Sequence, residues 1–189
     1  MLAKKKNSGV SRLFLMSTSK KTYFFHNKVV MYICDYCKVK INFLQFKKYI
    51  YIRSEMKILV SKEIKEACPQ FAGMAIAATV KNTPYSEALW QKIDEFTVRY
   101  REMYTTDSIK DMVTIHATRE AYKKCGKDPS RYRPSGEALC RRILRGIPLY
   151  QIDTLVDLIN LVSIRFGYSI GGFDADKFEG DTLTLGIGK

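Results

Sequence analysis

The sequence of 189 residues predicts an α+β domain preceded by an N-terminal extension. Two observations support this fold class. Short apolar runs that are typical of strands lie near both ends of residues 56–189, and helix signals fill the region between them. Strands that flank a block of helices favour an α+β arrangement over an all-helical bundle. The hydrophobic content of 46% is sufficient for a packed core.

The first predicted elements of this domain are two buried strands, residues 57–60 and 71–80, the second of which is rich in alanine. Ser86 predicts the N-cap of a helix that continues to about Tyr104 and carries its apolar residues on one stripe. A second helix is expected from about Ile109 to Gly126, because a glycine at that place commonly ends a helix.

The remaining predicted elements are two helices and a strand. Ser135 is expected to cap a third helix that ends near Gly146, and Asp153 or Thr154 to open a fourth helix that ends at Gly167. The alternating run 182–185 predicts a final strand. A strand needs partners, and no later segment remains to supply them. We therefore expect the domain to be incomplete at its C-terminus.

The formal net charge of +13 is unevenly divided along the chain. Residues 1–55 hold 12 of the 32 Lys and Arg but only 2 of the 19 Asp and Glu, which leaves 20 and 17 for residues 56–189. The first segment shows no sustained period of 2 or 3.6 residues. We expect residues 1–55 to be an irregular basic extension outside the native coding sequence, and the functional protein, residues 56–189, to start at Met56.

Several classes of protein are excluded by what the sequence lacks. No phosphate-binding glycine loop and no apolar stretch long enough to cross a bilayer is present. Cys34 and Cys37 have the C-x-x-C spacing, but no second pair stands at the spacing of a zinc site. An odd and scattered set of five cysteines fits reduced thiols in a cytoplasm. We expect no metal, no cofactor and no membrane contact.

The densest functional signal is a basic segment, residues 123–145, which holds eight basic and two acidic residues together with Tyr132 and follows directly after Tyr122. A basic surface with aromatic rings suits RNA, because cations bind phosphates and rings stack on unpaired bases. The alternative is a set of solvated charges with one or two buried arginines. The candidate RNA-binding residues are Lys127, Arg131, Arg133, Arg141, Arg142 and Arg145. Arg141 and Arg145 are i,i+4 neighbours, so reversing both charges is expected to weaken RNA binding.

The fourth predicted helix is apolar on most sides but carries Asp157, Asn160 and Ser163 as a narrow polar stripe. A buried polar stripe must be hydrogen-bonded or must line a cavity, because an unpaired buried polar group costs about 1–3 kcal/mol. Two interpretations therefore remain at this point. The stripe braces neighbouring loops, or it lines a binding pocket.

The segments 156–160, 167, 173–177 and 180 resemble the domain that edits mischarged tRNA in the beta subunit of phenylalanyl-tRNA synthetase, the B three/four domain. Residues 126–142 are similar to its freestanding bacterial and archaeal relatives. The resemblance covers about residues 56–189. It implies a mixed sheet with packed helices, a tRNA or aminoacyl-tRNA partner, and a pocket for the aminoacyl end. It places the following residues in that pocket: Asp157, Asn160, Gly171, Gly172 and Asp174.

This chain departs from the synthetase pattern at two positions that matter for hydrolysis. Ile159 stands where the pattern has a threonine, and Gly171 stands where it has the editing histidine. No catalytic residue is therefore assigned, and any deacylation is expected to be slow or absent. Three hypotheses remain: an aminoacyl-tRNA-binding module with or without deacylase activity in trans, a non-enzymatic module that binds a small molecule or a partner, and an inactive fragment.

Overall fold

A computed structural model of the chain describes residues 10–14, 28–35, 57–174, 177, 179–180 and 182–188. These residues form an α+β fold, which confirms the predicted class. The strands are β1 (Val10–Phe14), β2 (Lys28–Asp35), β3 (Lys57–Val60), β4 (Ala72–Thr79), β5 (Ser169–Asp174) and β6 (Thr182–Gly186). The α-helices are α1 (Lys62–Ala67), α2 (Glu87–Met103), α3 (Val113–Lys124), α4 (Ser135–Leu144) and α5 (Thr154–Phe166).

The described strands form two three-stranded sheets and not the mixed sheet that the resemblance implies. One sheet has the order β1-β6-β3, and both of its pairings are parallel. The other has the order β4-β2-β5, and both of its pairings are antiparallel. The final strand β6 therefore lies between two strands that precede it in the chain. The prediction that β6 lacks partners was wrong, because it considered only segments that follow β6 in the chain, whereas β1 and β3 precede it.

Two of the strands, β1 and β2, belong to the segment that the sequence pattern indicates to be irregular. β2 is the middle strand of its sheet: Val30 pairs with Ala77 of β4 on one side and with Phe173 of β5 on the other. Residues 29–33 form a continuous apolar run, which a strand with neighbours on both edges can carry without alternation. The sequence of such a strand shows no period of 2, so the pattern did not predict β2. The Cys34–Cys37 pair is only half described, since Cys37 lies outside the described residues.

The helices and their connections form the main core. Its members are buried apolar side chains from α2 to α5, with Ile109 and Leu149 from the connections: Ile93, Tyr100, Ile109, Ile115, Cys140, Ile143, Leu149 and Ile164. A smaller core joins α1 to β6 through Ile64, Leu183 and Leu185. Within the part of the chain described, no helix is long and apolar enough to span a membrane.

The helix starts agree with the sequence at two places and differ at others. Ser86 and Asp153 cap α2 and α5 by accepting hydrogen bonds from the N–H groups of Leu89 and Val156, as predicted. The predicted helix from Ile109 is divided, because Met112 adopts φ −58° and ψ 128° between a short 3-10 turn (Ser108–Asp111) and α3. Two further helices differ from the prediction. Ser135 was expected to cap α4 but is its first residue, and Pro134 occupies the cap position. The short helix α1, which Ser61 caps, was not predicted.

Gly126 and Gly167 end α3 and α5, both with φ +72°, as the sequence predicts. A Cβ at Gly126 meets no atom within 4 Å, whereas a Cβ at Gly167 overlaps Oγ1 of Thr114. That hydroxyl donates to the carbonyl of Phe166 at 3.0 Å and so holds the end of α5 on α3. The two glycines share a backbone conformation but differ in the space around them.

We expect Gly126→Ala to lower the free energy of unfolding by about 1–2 kcal/mol, the cost of the left-handed conformation for alanine. Gly167→Ala pays the same cost and is expected to lose about 1–3 kcal/mol more, because the contact with Thr114 must open. Urea unfolding of the two variants measures the difference between them. Equal losses would show that Thr114 can move aside without cost.

Candidate functional site

A buried carboxylate gathers arginines where α3, α4 and the loop between them meet. Glu137, in the first turn of α4, is 0% exposed. Nη1 of Arg119, on α3, donates to both of its carboxylate oxygens, at 3.0 and 2.9 Å. Nε of Arg141, one turn further along α4, donates to Oε1 at 2.8 Å. We call Glu137, Arg119, Arg141 and Arg133 the arginine–glutamate cluster.

The cluster also fixes the surrounding loops. Nη1 of Arg141 donates to the carbonyl of Thr106, in the connection that follows α2, at 2.9 Å. Nη2 of Arg119 lies 3.4 Å from Oγ of Ser130, which belongs to the loop between α3 and α4. Nε of Arg133 approaches Oε1 of Glu137 at 3.9 Å, too far for a hydrogen bond. These contacts hold α3, α4 and both loops around one negative charge.

The loop between α3 and α4 presents cations together with a tyrosine ring. The Nζ atom of Lys127 and the guanidinium of Arg131 each lie 5.3 Å from the ring centroid of Tyr132. Arg131 is exposed, and Lys127 and Tyr132 are half-buried. The loop therefore combines accessible positive charge with an aromatic face.

A second cation–aromatic pair lies after α4. The guanidinium of Arg142 stands 3.8 Å from the ring centroid of Tyr150, which is 56% exposed. Nε of Arg142 donates to the carbonyl of Pro148 at 2.6 Å, which fixes the guanidinium over the ring. Arg145 is exposed at the C-terminal end of α4, one turn beyond Arg141.

The six predicted RNA-binding residues thus fall into two groups. Lys127, Arg131, Arg142 and Arg145 lie in the loop or at the end of α4, and the two that are fully exposed are Arg131 and Arg145. Arg133 and Arg141 belong to the arginine–glutamate cluster, in which Arg141 already donates hydrogen bonds to Glu137 and to the carbonyl of Thr106. Reversing the charge of Arg141 would break this cluster, so the double reversal of Arg141 and Arg145 tests the fold as well as RNA binding. Arg145 alone is the cleaner probe.

The polar stripe of α5 braces its surroundings at its two ends. Oδ2 of Asp157 accepts from Nε1 of Trp90, on α2, at 2.8 Å, and Oδ1 accepts from the N–H of Ile152 at 3.1 Å. The hydroxyl of Ser163 donates to the carbonyl of Tyr168, just beyond the helix. Asn160 is half-buried between them. The sequence left two interpretations open, namely that the stripe braces neighbouring loops or that it lines a pocket. Asp157 and Ser163 brace neighbouring segments.

The environment of Asp157 raises the pKa of its carboxyl above the ordinary value. Burial is the main cause, and the carboxylate of Asp153 adds to it, while the donors on Ile152 and Trp90 act in the opposite direction. Asp153 is itself buried, and its Oδ2 has no hydrogen-bond partner among the described residues. The N-terminus of α5 therefore holds two buried carboxyl groups close together.

This arrangement makes stability depend on pH in a definite direction. Because the folded state binds the proton of Asp157 more tightly than the unfolded state, stability is expected to fall as the pH rises from about 3.9, the ordinary value, through the raised value. Asp157→Asn should lack this loss, so wild type and variant should diverge with rising pH. Trp90→Phe removes a hydrogen-bond donor that lowers the pKa of Asp157. This variant should therefore raise the pKa further and widen the pH range over which stability falls. Urea unfolding at several pH values measures both effects, and parallel curves would contradict them.

The glycines of the predicted pocket lie in β5, which pairs with β2. Gly171 and Gly172 are opposite Tyr32 and Met31. Successive N–H groups of a strand point to opposite edges of the sheet, so these two donors cannot converge on one oxygen atom. Asp174 ends β5 with a carboxylate oxygen 3.7 Å from Nζ of Lys177. Asp157 and Asp174 thus have separate sets of neighbours.

Two cavities of the described chain are lined by none of the five predicted pocket residues. An apolar crevice of about 40 Å³ lies between α1, α3 and the end of the chain, and its wall includes the thiols of Cys68 and Cys125. Burial, followed by the neighbouring Cys68, raises the pKa of Cys125 above the ordinary value of a thiol, which favours the protonated form at neutral pH. A groove of about 310 Å³ lies between α2 and the loop after α4.

The groove after α4 has charged and apolar walls. Trp90, Ile147 and Leu149 line its apolar part, and Asp94 and Arg101 provide opposite charges two helical turns apart on α2. It has room for a small molecule. Among the described residues, no three His, Cys, Asp or Glu side chains stand together as metal ligands would.

Sequence reasoning missed three residues of these sites. Arg119, Thr106 and Trp90 come from segments outside the motifs, and only the tertiary structure brings them to Glu137, Arg141 and Asp157. The signal available in the sequence was a single acidic residue, Glu137, between arginines on both sides.

The described residues therefore form an α+β domain whose helices enclose a buried arginine–glutamate cluster and carry cation–aromatic pairs beside it. Residues 117–189 match the family model of the B3/4 domain, the domain that the resemblance named. This is a family of domains associated with tRNA synthetases. The matched segment begins within α3 and includes the cluster, α5 and β5. Comparison with curated proteins and with solved structures gives no match.

Proposed function

We propose that this domain binds RNA, with tRNA as the class of partner that its family favours. The observation that carries the proposal is the loop between α3 and α4, where Lys127 and Arg131 flank the ring of Tyr132. Lysine and arginine bind phosphates, and a tyrosine ring stacks on an unpaired base. Arg142 with Tyr150 repeats the same combination at the end of α4.

The proposal is binding without fast hydrolysis. A deacylase must position a water molecule and offer donors to the oxyanion that develops. Asp157 already accepts two hydrogen bonds, and the N–H groups of Gly171 and Gly172 point to opposite edges of β5. Asp174 has its carboxylate 3.7 Å from Nζ of Lys177. Asn160 is then the remaining polar side chain of the expected pocket, and a single amide supports recognition better than catalysis.

The test is the salt dependence of RNA binding, followed by fluorescence anisotropy of a labelled tRNA transcript. The double variant Lys127→Gln, Arg131→Gln is expected to bind more weakly and to reduce the slope of log K against log salt by about two, one for each phosphate contact. Tyr132→Leu should weaken binding by about 1–3 kcal/mol while leaving that slope unchanged, because stacking releases no counterions.

The matched control is Lys92→Gln, Lys110→Gln, which removes the same charge from exposed positions on α2 and on the 3-10 turn. If the control lowers affinity and slope as much as the loop variant does, binding depends on net charge alone and the proposed surface is wrong. If wild type binds no RNA at low salt, the function is wrong.

A second candidate function is binding of a small molecule without catalysis. The observation that favours it is the groove of about 310 Å³ with Asp94 and Arg101 on one wall and an apolar floor. Opposite charges two helical turns apart, about 10 Å along the helix axis, suit the separated termini of a short peptide. A chain that binds no RNA but is stabilised against heat by short peptides, with the effect lost in Arg101→Gln, would favour this candidate.

A further inference from the structure

The arginine–glutamate cluster holds more positive charge than its carboxylate can balance. Three guanidinium groups, those of Arg119, Arg133 and Arg141, lie within 3.9 Å of Glu137. An arginine does not lose its proton in a protein, so the cluster carries two positive charges in excess. Asp128, the carboxylate of the loop between α3 and α4, accepts from the N–H of Ser130 at 2.8 Å within its own turn. Uncompensated positive charge beside a buried group destabilises the folded state unless an anion binds next to it.

The donors of the cluster are incompletely used. Nε of Arg133 is buried and has no hydrogen-bond partner among the described residues. Such an unmade hydrogen bond costs free energy unless a ligand supplies the acceptor. The side chains of Arg119, Arg133 and Arg141 are 19%, 36% and 17% exposed, so a small anion can reach them from solvent.

We propose that the cluster is a binding site for a phosphomonoester group. A phosphomonoester carries between about 1.5 and 2 negative charges at pH 7, which matches the excess of two positive charges. Its oxygens would accept from Arg133 and from the guanidinium nitrogens of Arg119 and Arg141 that Glu137 leaves free. A phosphodiester carries a single charge and leaves the other uncompensated. Guanidinium groups suit this ligand because their forked donors match the geometry of phosphate oxygens.

The phosphate can come from two sources, the 5′ end of an RNA or free phosphate in solution. For an RNA the inference rests on the proposed function, because the loop that carries Lys127, Arg131 and Tyr132 adjoins the cluster through Ser130 and Arg133. For free phosphate it stands without the proposed function. Both sources present the same terminal group to the same arginines.

The experiment uses the full chain and three probes: inorganic phosphate, and two oligoribonucleotides of one sequence that end in a 5′ phosphate or a 5′ hydroxyl. Binding is measured by calorimetry and by the shift of the thermal midpoint against sodium chloride of equal ionic strength. We expect phosphate to raise the midpoint. We expect the phosphorylated RNA to bind at least tenfold more tightly than its hydroxyl form.

The variant is Arg133→Gln, which removes the unpartnered donor but leaves the shorter bonds of Arg119 and Arg141 to Glu137 in place. It should abolish the preference for the 5′ phosphate and weaken binding of inorganic phosphate at least tenfold. Arg133→Lys keeps the positive charge but loses the forked donors of the guanidinium group, and it should give an intermediate preference for the 5′ phosphate. Because this change is conservative, it also shows whether the effect of Arg133→Gln comes from misfolding. The matched control is Arg165→Gln, an exposed arginine in the last turn of α5 and outside the proposed RNA-binding loop, which should keep the preference.

The outcomes separate the inference from the proposed function. If both RNAs bind equally well and phosphate raises the midpoint no more than chloride does, the inference is overturned while RNA binding stands. If phosphate binds and Arg133→Gln abolishes this, but neither RNA binds, the inference holds and the proposed function fails. Equal losses of the preference for the 5′ phosphate in Arg133→Gln and Arg165→Gln would overturn the inference, because the effect would then follow net charge.

Discussion

Replacement of Glu137 by alanine is expected to lower the free energy of unfolding by about 3–5 kcal/mol, the cost of leaving buried charges without their partner. The carboxylate accepts from Arg119 on both oxygens and from Arg141 on one. Its removal leaves three guanidinium groups that repel one another and frees α3 from α4. Against a typical total stability of about 5–15 kcal/mol, this loss is a large fraction.

Urea unfolding measures this loss, and salt distinguishes its cause. Added sodium chloride screens the repulsion between the guanidinium groups, so Glu137→Ala should recover part of its stability at high salt, which a packing defect would not do. The control is Glu95→Ala, whose exposed carboxylate lies 3.9 Å from Arg99 and should cost less than about 1 kcal/mol. A loss at Glu137 as small as at Glu95 would show that the arginines are solvated and need no counter-charge.

The sequence predicts those parts of the fold that depend on local chemistry. Ser86, Asp153 and Gly167 mark helix ends, and each acts through a backbone group within three residues or through its own φ angle. Such signals are readable because the partner is close in the sequence. Met112 shows the limit: the break between the 3-10 turn and α3 has no glycine or proline to mark it.

The site was less predictable because its partners are distant in sequence. Arg141 looks like a phosphate ligand in the helix pattern, but the carbonyl of Thr106, 35 residues away, and the carboxylate of Glu137 occupy its Nη1 and Nε donors. Asp157 looks like a pocket residue, but Trp90, 67 residues away, uses its carboxylate. Spacing along one helix can place side chains on one face, yet it cannot show which other element covers that face.

A chain shortened to residues 56–189 is expected to lose the stability that β2 provides, although the sequence favours Met56 as the functional start. β2 pairs with β4 over eight residues and with β5 over six. Antiparallel pairing gives about one hydrogen bond for each pair of residues, and each contributes about 1 kcal/mol net. The total is of the same order as the 5–15 kcal/mol by which typical domains are stable. Removing the middle strand also leaves the inner edges of β4 and β5 unpaired.

The measurement is urea unfolding of the full chain and of residues 56–189, with both the free energy and the m-value recorded. We expect the short form to unfold at a lower urea concentration and with a smaller m-value, because less surface is buried in its folded state. Val30→Pro in the full chain removes one N–H from the middle strand and should lower the midpoint as well. Lys62→Pro is the matched control, since proline is tolerated at the first residue of a helix such as α1. Equal stability of the long and short forms would mean that β4 and β5 fold without β2, and would support Met56 as the start of the functional protein.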